Sequence, residues 1–200
     1  NNLNLIQMNI IKNIQKAGWG LLMATLLLSA CNKLELAGVP NVAPAQGTTP
    51  TIATLLDDPN FSILKAAVIR ASLAAPTGTP TILQQLGNPA LRFTVFAPDD
   101  AAFIASGVPS AAAVGTLPVA TVFAIVAYHV VPQEIRSGSI VTTFPNFQYP
   151  TILNPAPTVS ALLRLTTFPS ARSNGAWVNN IPITAVDIVA VNGVVHKVAG

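Results

Sequence analysis

Apolar residues recur three and four positions apart through Phe61, Leu64, Val68 and Ala71, the spacing of a single stripe on a helix. Asp58 precedes them as an N-cap, and Pro59 takes the first helical position, where a missing N–H has no partner to lose. The pattern predicts a helix over residues 59–73. Pro76-Thr77-Gly78-Thr79-Pro80 reads as a loop, and residues 82–86 as a short helical segment. Residues 93–97 form an apolar strand stopped by Pro98, after which Asp99 can cap a helix through Ala101, Ala102, Phe103 and Ile104. Residues 118–128 start on Pro118 and carry Val122, Phe123, Ile125 and Val126, apolar nearly all round, which predicts a helix inside the core.

Beyond Pro132 the pattern changes. Short β-branched runs separated by Gly, Pro, Asn and Ser occupy residues 140–198 and read as strands. Asn192-Gly193 between two valine-rich runs predicts a two-residue type I′ hairpin, with Val191 facing Val194, Ala190 facing Val195 and Val189 facing His196. Helices first and strands later indicate an α+β fold.

At the amino end, the longest apolar run covers residues 18–30, short of the roughly 20 residues a membrane-spanning helix needs. Lys12 and Lys16 precede it, and Leu28-Ser29-Ala30-Cys31 ends it on small residues and a cysteine. Residues 1–30 therefore read as an export signal, with residues 1–7 an upstream artefact and Met8 the start. The tetrapeptide resembles a bacterial lipobox, which implies lipidation of Cys31 and cleavage before it. The other readings of this segment are an ordinary signal ahead of a secreted or buried cysteine, and an N-terminal anchor helix. Residues 31–50 then form the lipidated cysteine and a Pro- and Gly-rich tether, on the order of 25 Å in typical span. Residues 51–200 form one domain.

The chain is 51% hydrophobic and 8% charged, with 17 prolines and 12 glycines breaking the apolar runs, as in a globular core with many turns. Removing the signal would leave eight basic and seven acidic residues, without the clustered basic face that nucleic acid requires. Cys31 is the only cysteine, so no disulfide is expected. His129 and His196 are the only histidines and lack the ligand spacing of a zinc or iron site. No Gly-x-Ser-x-Gly elbow marks a nucleophile. Asp99-Asp100 could pass for paired catalytic acids, but capping explains them more simply. No metal, cofactor or catalytic residue is expected.

Four segments stand in an order that resembles the fasciclin (FAS1) domain: residues 51–64, residues 93–103, Tyr128-His129-Val130-Val131, and residues 187–198. The resemblance implies a β-sheet wedge or sandwich flanked by N-terminal helices, in a secreted or membrane-anchored module concerned with adhesion. Ala199 stands where the family commonly has Asp, and the domain is expected to be cut at its last strand. The resemblance also raises a recognition role for Tyr128 and His129, beside a structural one for a helix-end histidine. His196 shares a strand face with Val194 and Val198 and is expected to be structural.

Phe144, Phe147, Tyr149, Phe168 and Trp177 lie among loop formers. On loops they could stack on a sugar or anchor a protein contact; filling the sheet core is the other reading. The expected function is that of a bacterial envelope module, held to the outer membrane or cell surface through Cys31, that binds a protein or polysaccharide partner. A periplasmic structural or assembly factor is the alternative, and a hydrolase the third class.

Overall fold

In the computed structural model, which describes residues 49–142 and 147–200, Asp58 accepts a hydrogen bond from Asn60 N at 2.8 Å and starts a 3-10 turn, Pro59–Phe61. The signal, Cys31, the tether up to residue 48, and Phe144 lie outside the described residues. The turn runs into helix α2 (Ser62–Ser72), preceded by α1 (Ile52–Leu55) and followed by α3 (Ile82–Leu86). Phe61, Leu64, Val68 and Ala71 are all buried, as their spacing predicts.

α2 has no cap of its own. The carboxylate of Asp100 supplies one from a distance, accepting from Ile63 N at 2.8 Å and Ser62 Oγ at 2.6 Å. Its neighbour Asp99 accepts from Ala102 N at 2.8 Å and caps α4 (Asp100–Ala105). Asp99 also pairs with Lys197 at 2.7 Å. Burial alone would raise its pKa, but the Lys197 and backbone donors outweigh this and hold it low. Both aspartates are thus engaged in holding helices.

α5 (Ala111–Thr116) has no counterpart in the apolar pattern, because it buries only Val114. α6 (Val119–Tyr128) forms where expected, yet it is not enclosed: Val122, Val126 and Ala127 face inward while Ile125 is 41% exposed. Its apolar outer face belongs to the surface, a correction to the all-buried helix.

β1 (Phe93–Pro98), β2 (Val130–Val131), β5 (Pro169–Arg172), β6 (Gly175–Val178), β7 (Ile181–Ala190) and β8 (Gly193–Val198) form one curled sheet in the order β2-β1-β8-β7-β6-β5. β1 and β8 run parallel and the other neighbours antiparallel. A separate pair, β3 (Tyr149–Pro150) and β4 (Thr166–Thr167), lies beside it. The two-residue alternation along a strand divides β1 between two cores. Phe93, Val95 and Ala97 join Val195 in packing on the helices. Phe96 packs with Val131, Ile135, Ile140, Val178 and Val198 on the other face. The α+β class and the sheet flanked by N-terminal helices are therefore as expected.

The β7–β8 hairpin corrects the predicted register. Ala190 pairs with Gly193, Val189 with Val194 and Ile188 with Val195, so Val191-Asn192 is the loop. Asn192 is not among the positive-φ residues, and a type I′ turn is excluded. Tertiary contacts decide the matter. The Asn192 side chain is fully buried, accepts from Ile52 N at 2.8 Å, and donates to Leu86 O at 2.7 Å and Asn88 O at 3.2 Å. Gly193, at φ 138°, lies so close to β1 that a Cβ would stand 1.8 Å from Phe93 O. This glycine is needed for close strand approach rather than for the turn.

Candidate functional site

α6 ends with Tyr128 directed at β4 and the turn between β6 and β7. Its hydroxyl donates to Thr166 O and accepts from Asn179 Nδ2, both at 3.2 Å. Asn179 sits at φ 52° in the two-residue turn between β6 and β7, a left-handed conformation that asparagine tolerates. Its Oδ1 accepts from Phe168 N at 3.0 Å. One asparagine therefore ties the helix end, β4 and the start of β5 together.

Around this knot lies an open cleft of about 550 Å³ lined by Tyr128, Phe168, Arg172, Asn179 and Asn180. Arg172 and Trp177 are diagonal neighbours across β5 and β6, because Ser170 is the direct partner of Trp177. The guanidinium lies 4.4 Å from the centre of the indole, and Nη2 donates to Asn179 O at 2.9 Å and reaches Asn180 Oδ1 at 3.4 Å. Among the described residues it has no carboxylate partner. The result is a cation held in place by an aromatic face and two amides, beside an exposed Phe168.

His129 is half-buried behind Tyr128, its ring edge-on to the tyrosine. Its Nδ1–H donates to Ile125 O at 2.8 Å, closing a carbonyl of the last helical turn. Burial lowers its pKa. The ring lines a small cavity of about 90 Å³ together with Tyr128, Thr167 and Asn179. Phe147 is exposed and packs tilted against Tyr149, which is half-buried on the second core. Neither lines the cleft, and the strand partner of Tyr149, Thr167, lines the small cavity beside His129. Trp177 is half-buried and acts as the support of Arg172. Of the predicted aromatics, Tyr128 and Phe168 line the cleft and Trp177 backs it.

A larger hollow, about 760 Å³, opens between the residue 76–80 loop and α3. Its lining of Thr77, Thr79, Gln84, Gln85 and Asn88 with neighbouring apolar groups contains neither a charge nor an aromatic ring to anchor a ligand.

Ser137, Asp187 and His196 meet, but not as a catalytic triad. The Asp187 carboxylate accepts from Ser137 N at 2.9 Å and from Ser137 Oγ, while His196 Nδ1 accepts from the backbone N–H of Asp187 at 3.2 Å. His196 Nε2–H donates to Ile135 O at 2.8 Å, so both ring nitrogens are occupied and the ring, stacked on Phe96, is fully buried. No proton can pass from Ser137 to the imidazole in this arrangement. Burial keeps His196 below its ordinary pKa. Burial would raise Asp187, but the Ser137 bonds prevail and lower it. Asp187 itself is at φ 57°, in an irregularity of β7, which turns its N–H toward the imidazole. Among the described residues there is no group of three or more His, Cys, Asp or Glu that could hold a metal.

Comparison with known proteins agrees with this architecture. A family model described as "Fasciclin domain" matches residues 59–200. The chain is similar in structure to a FAS1 domain pair from the insect cell adhesion molecule fasciclin I, with 18% sequence identity and a TM-score of 0.55, over 75% of this chain and 49% of that one. The chain thus spans about half the length of that structure, and the likeness speaks for the fold. No curated protein matches.

Proposed function

We infer that this chain, which belongs to the fasciclin domain family, is a cell-envelope binding module that takes a protein or polysaccharide partner at the Tyr128 cleft. Fasciclin domains are adhesion-type modules and the family is non-enzymatic. The observation that carries the reading is Arg172: a guanidinium fixed against Trp177 and hydrogen-bonded by Asn179, with no carboxylate partner among the described residues, facing solvent beside Phe168. Fixing the cation in advance reduces the side-chain entropy lost on binding. An aromatic edge beside it suits a sugar ring or a protein side chain.

The test is adhesion of beads carrying the protein to surfaces coated with envelope polysaccharide or envelope protein. Arg172→Ala and Phe168→Ser should each lower retention several-fold without altering the melting temperature. Retention equal to the parent in both variants would remove the cleft from the proposal. Attachment through acylated Cys31 is part of the same reading, and radioactive palmitate should label the parent but not Cys31→Ala.

A further inference from the structure

The loop between β3 and β4, residues 151–165, carries the most exposed apolar side chains of the described residues: Leu162 at 89% and Val159 at 81%, with Leu163 and Leu165 also exposed. Its ends are tied together, Thr151 N donating to Leu165 O at 2.8 Å and Leu165 N to Leu153 O at 3.1 Å. Such a loop holds its apolar tip outward in water, at a hydration cost that folding does not relieve.

About half of the loop's main-chain groups are paired within the loop or across its base. Pro155 and Pro157 have no N–H to satisfy. Ala156 N donates to Asn154 Oδ1 at 3.0 Å, Val159 N and Ser160 N donate to Ala156 O at 3.0 and 3.2 Å, and Leu162 N donates to Ser160 Oγ at 3.2 Å. On the acceptor side, Asn154 Nδ2 donates to Ser160 O at 2.8 Å, and Arg164 Nη1 donates to Ala161 O and Leu163 O, each at 2.8 Å. Each main-chain group already paired in this way loses little when water is withdrawn.

Charge narrows the surroundings further. No acidic residue occurs between Glu134 and Asp187, whereas Arg136, Arg164 and Arg172 fall in that interval. Arg164, in the loop itself, is the charge nearest the apolar tip along the chain.

We propose that residues 155–165 dock into the interfacial layer of a lipid bilayer carrying anionic headgroups, with Val159, Leu162 and Leu163 entering the acyl boundary and Arg164 remaining at headgroup level. Apolar insertion supplies affinity and the cation supplies preference for negative lipid. This contact is independent of the Tyr128 cleft and of acylation at Cys31.

The chain's single cysteine makes the test direct. In the full chain with Cys31→Ser, Leu162→Cys is labelled with an environment-sensitive nitrobenzoxadiazole dye, and Leu73→Cys, at an exposed position just after α2, serves as the reference. Titration with phosphatidylcholine vesicles containing phosphatidylglycerol should raise emission several-fold at position 162 and leave position 73 unchanged. Vesicles of phosphatidylcholine alone should bind about fivefold more weakly. Val159→Ser with Leu163→Ser in the same labelled chain should reduce the response. Equal responses at positions 162 and 73, or none at 162, would overturn the proposal. Emission at 162 that rises with protein concentration in the absence of lipid would also overturn it, assigning the tip to contact between copies of the chain.

Discussion

Asn192→Ala should be among the most damaging single changes in this domain that removes so few atoms. The side chain makes three hydrogen bonds, to Ile52 N, Leu86 O and Asn88 O, and so joins α1, the end of α3 and the β7–β8 loop. Ile52 and Leu86 are buried, so their N–H and C=O would be left without water or partner. The Asn88 carbonyl can turn to solvent and should contribute little, since Asn88 is exposed. Two orphaned buried groups at about 1–3 kcal/mol each give about 2–6 kcal/mol, against a total stability of about 5–15 kcal/mol for an ordinary domain. In urea, where a slope of about 2 kcal/mol/M is usual for a small domain, the midpoint should fall by about 1–3 M at unchanged slope. Asn192→Asp sharpens the test. It keeps the acceptor for Ile52 N but points a carboxylate at the Leu86 carbonyl, which only the protonated acid can serve as donor. Folding should therefore raise its pKa, and the deficit relative to the parent should shrink as pH falls from 7 toward 4. A loss below about 1 kcal/mol for Asn192→Ala, or an Asp variant whose deficit ignores pH, would refute the claim that buried hydrogen bonds rather than the turn fix this loop.

Gly193→Ala should prevent β1 from pairing with β8, because its Cβ would overlap Phe93 O; circular dichroism should show loss of the cooperative transition. Asp100→Ala removes the distant cap of α2 and should cost about 1 kcal/mol in urea unfolding. The folded state holds His196 and His129 below the ordinary imidazole value of 6.5, so the unfolded chain gains protons that the folded one resists. Stability should accordingly decline as pH falls below about 6.5. A second decline should begin below the ordinary aspartate value of 3.8, where Asp99 and Asp187, both lowered on folding, lose their partners. A melting temperature independent of pH between 7 and 5 would contradict the histidine assignment.

Local chemistry was legible wherever it acted locally. Asp58 and Asp99 cap the elements that follow them, and the stripe from Phe61 to Ala71 marks the buried face of α2, because a helix start and a helix face depend on residues within a turn or two. α5 escaped notice because one buried valine makes no stripe. The Asn192-Gly193 signal named the right hairpin and the wrong loop, since neither the groups that bury Asn192 nor the strand that crowds Gly193 is near in sequence. At the cleft, Tyr128 and Phe168 were named from sequence. Asn179-Asn180 between Val178 and Ile181 carried a readable turn signal that went unused. Arg172 gave none, because its position over Trp177 depends on strand register.

The parallel pairing of β1 with β8 also governs when the domain can assemble. Phe93 meets Gly193 and Pro98 meets Val198, so these two paired strands lie a hundred positions apart along the chain. A chain emerging amino end first can form α2 and α6 early, but β1 has only the two residues of β2 beside it until β8 arrives. Loop closure over such a distance must precede the contacts that reward it, which makes folding slow. Until then the apolar edge of β1 is exposed to other chains, so the interval before β8 is laid down is when this domain is most exposed to aggregation and most dependent on chaperones.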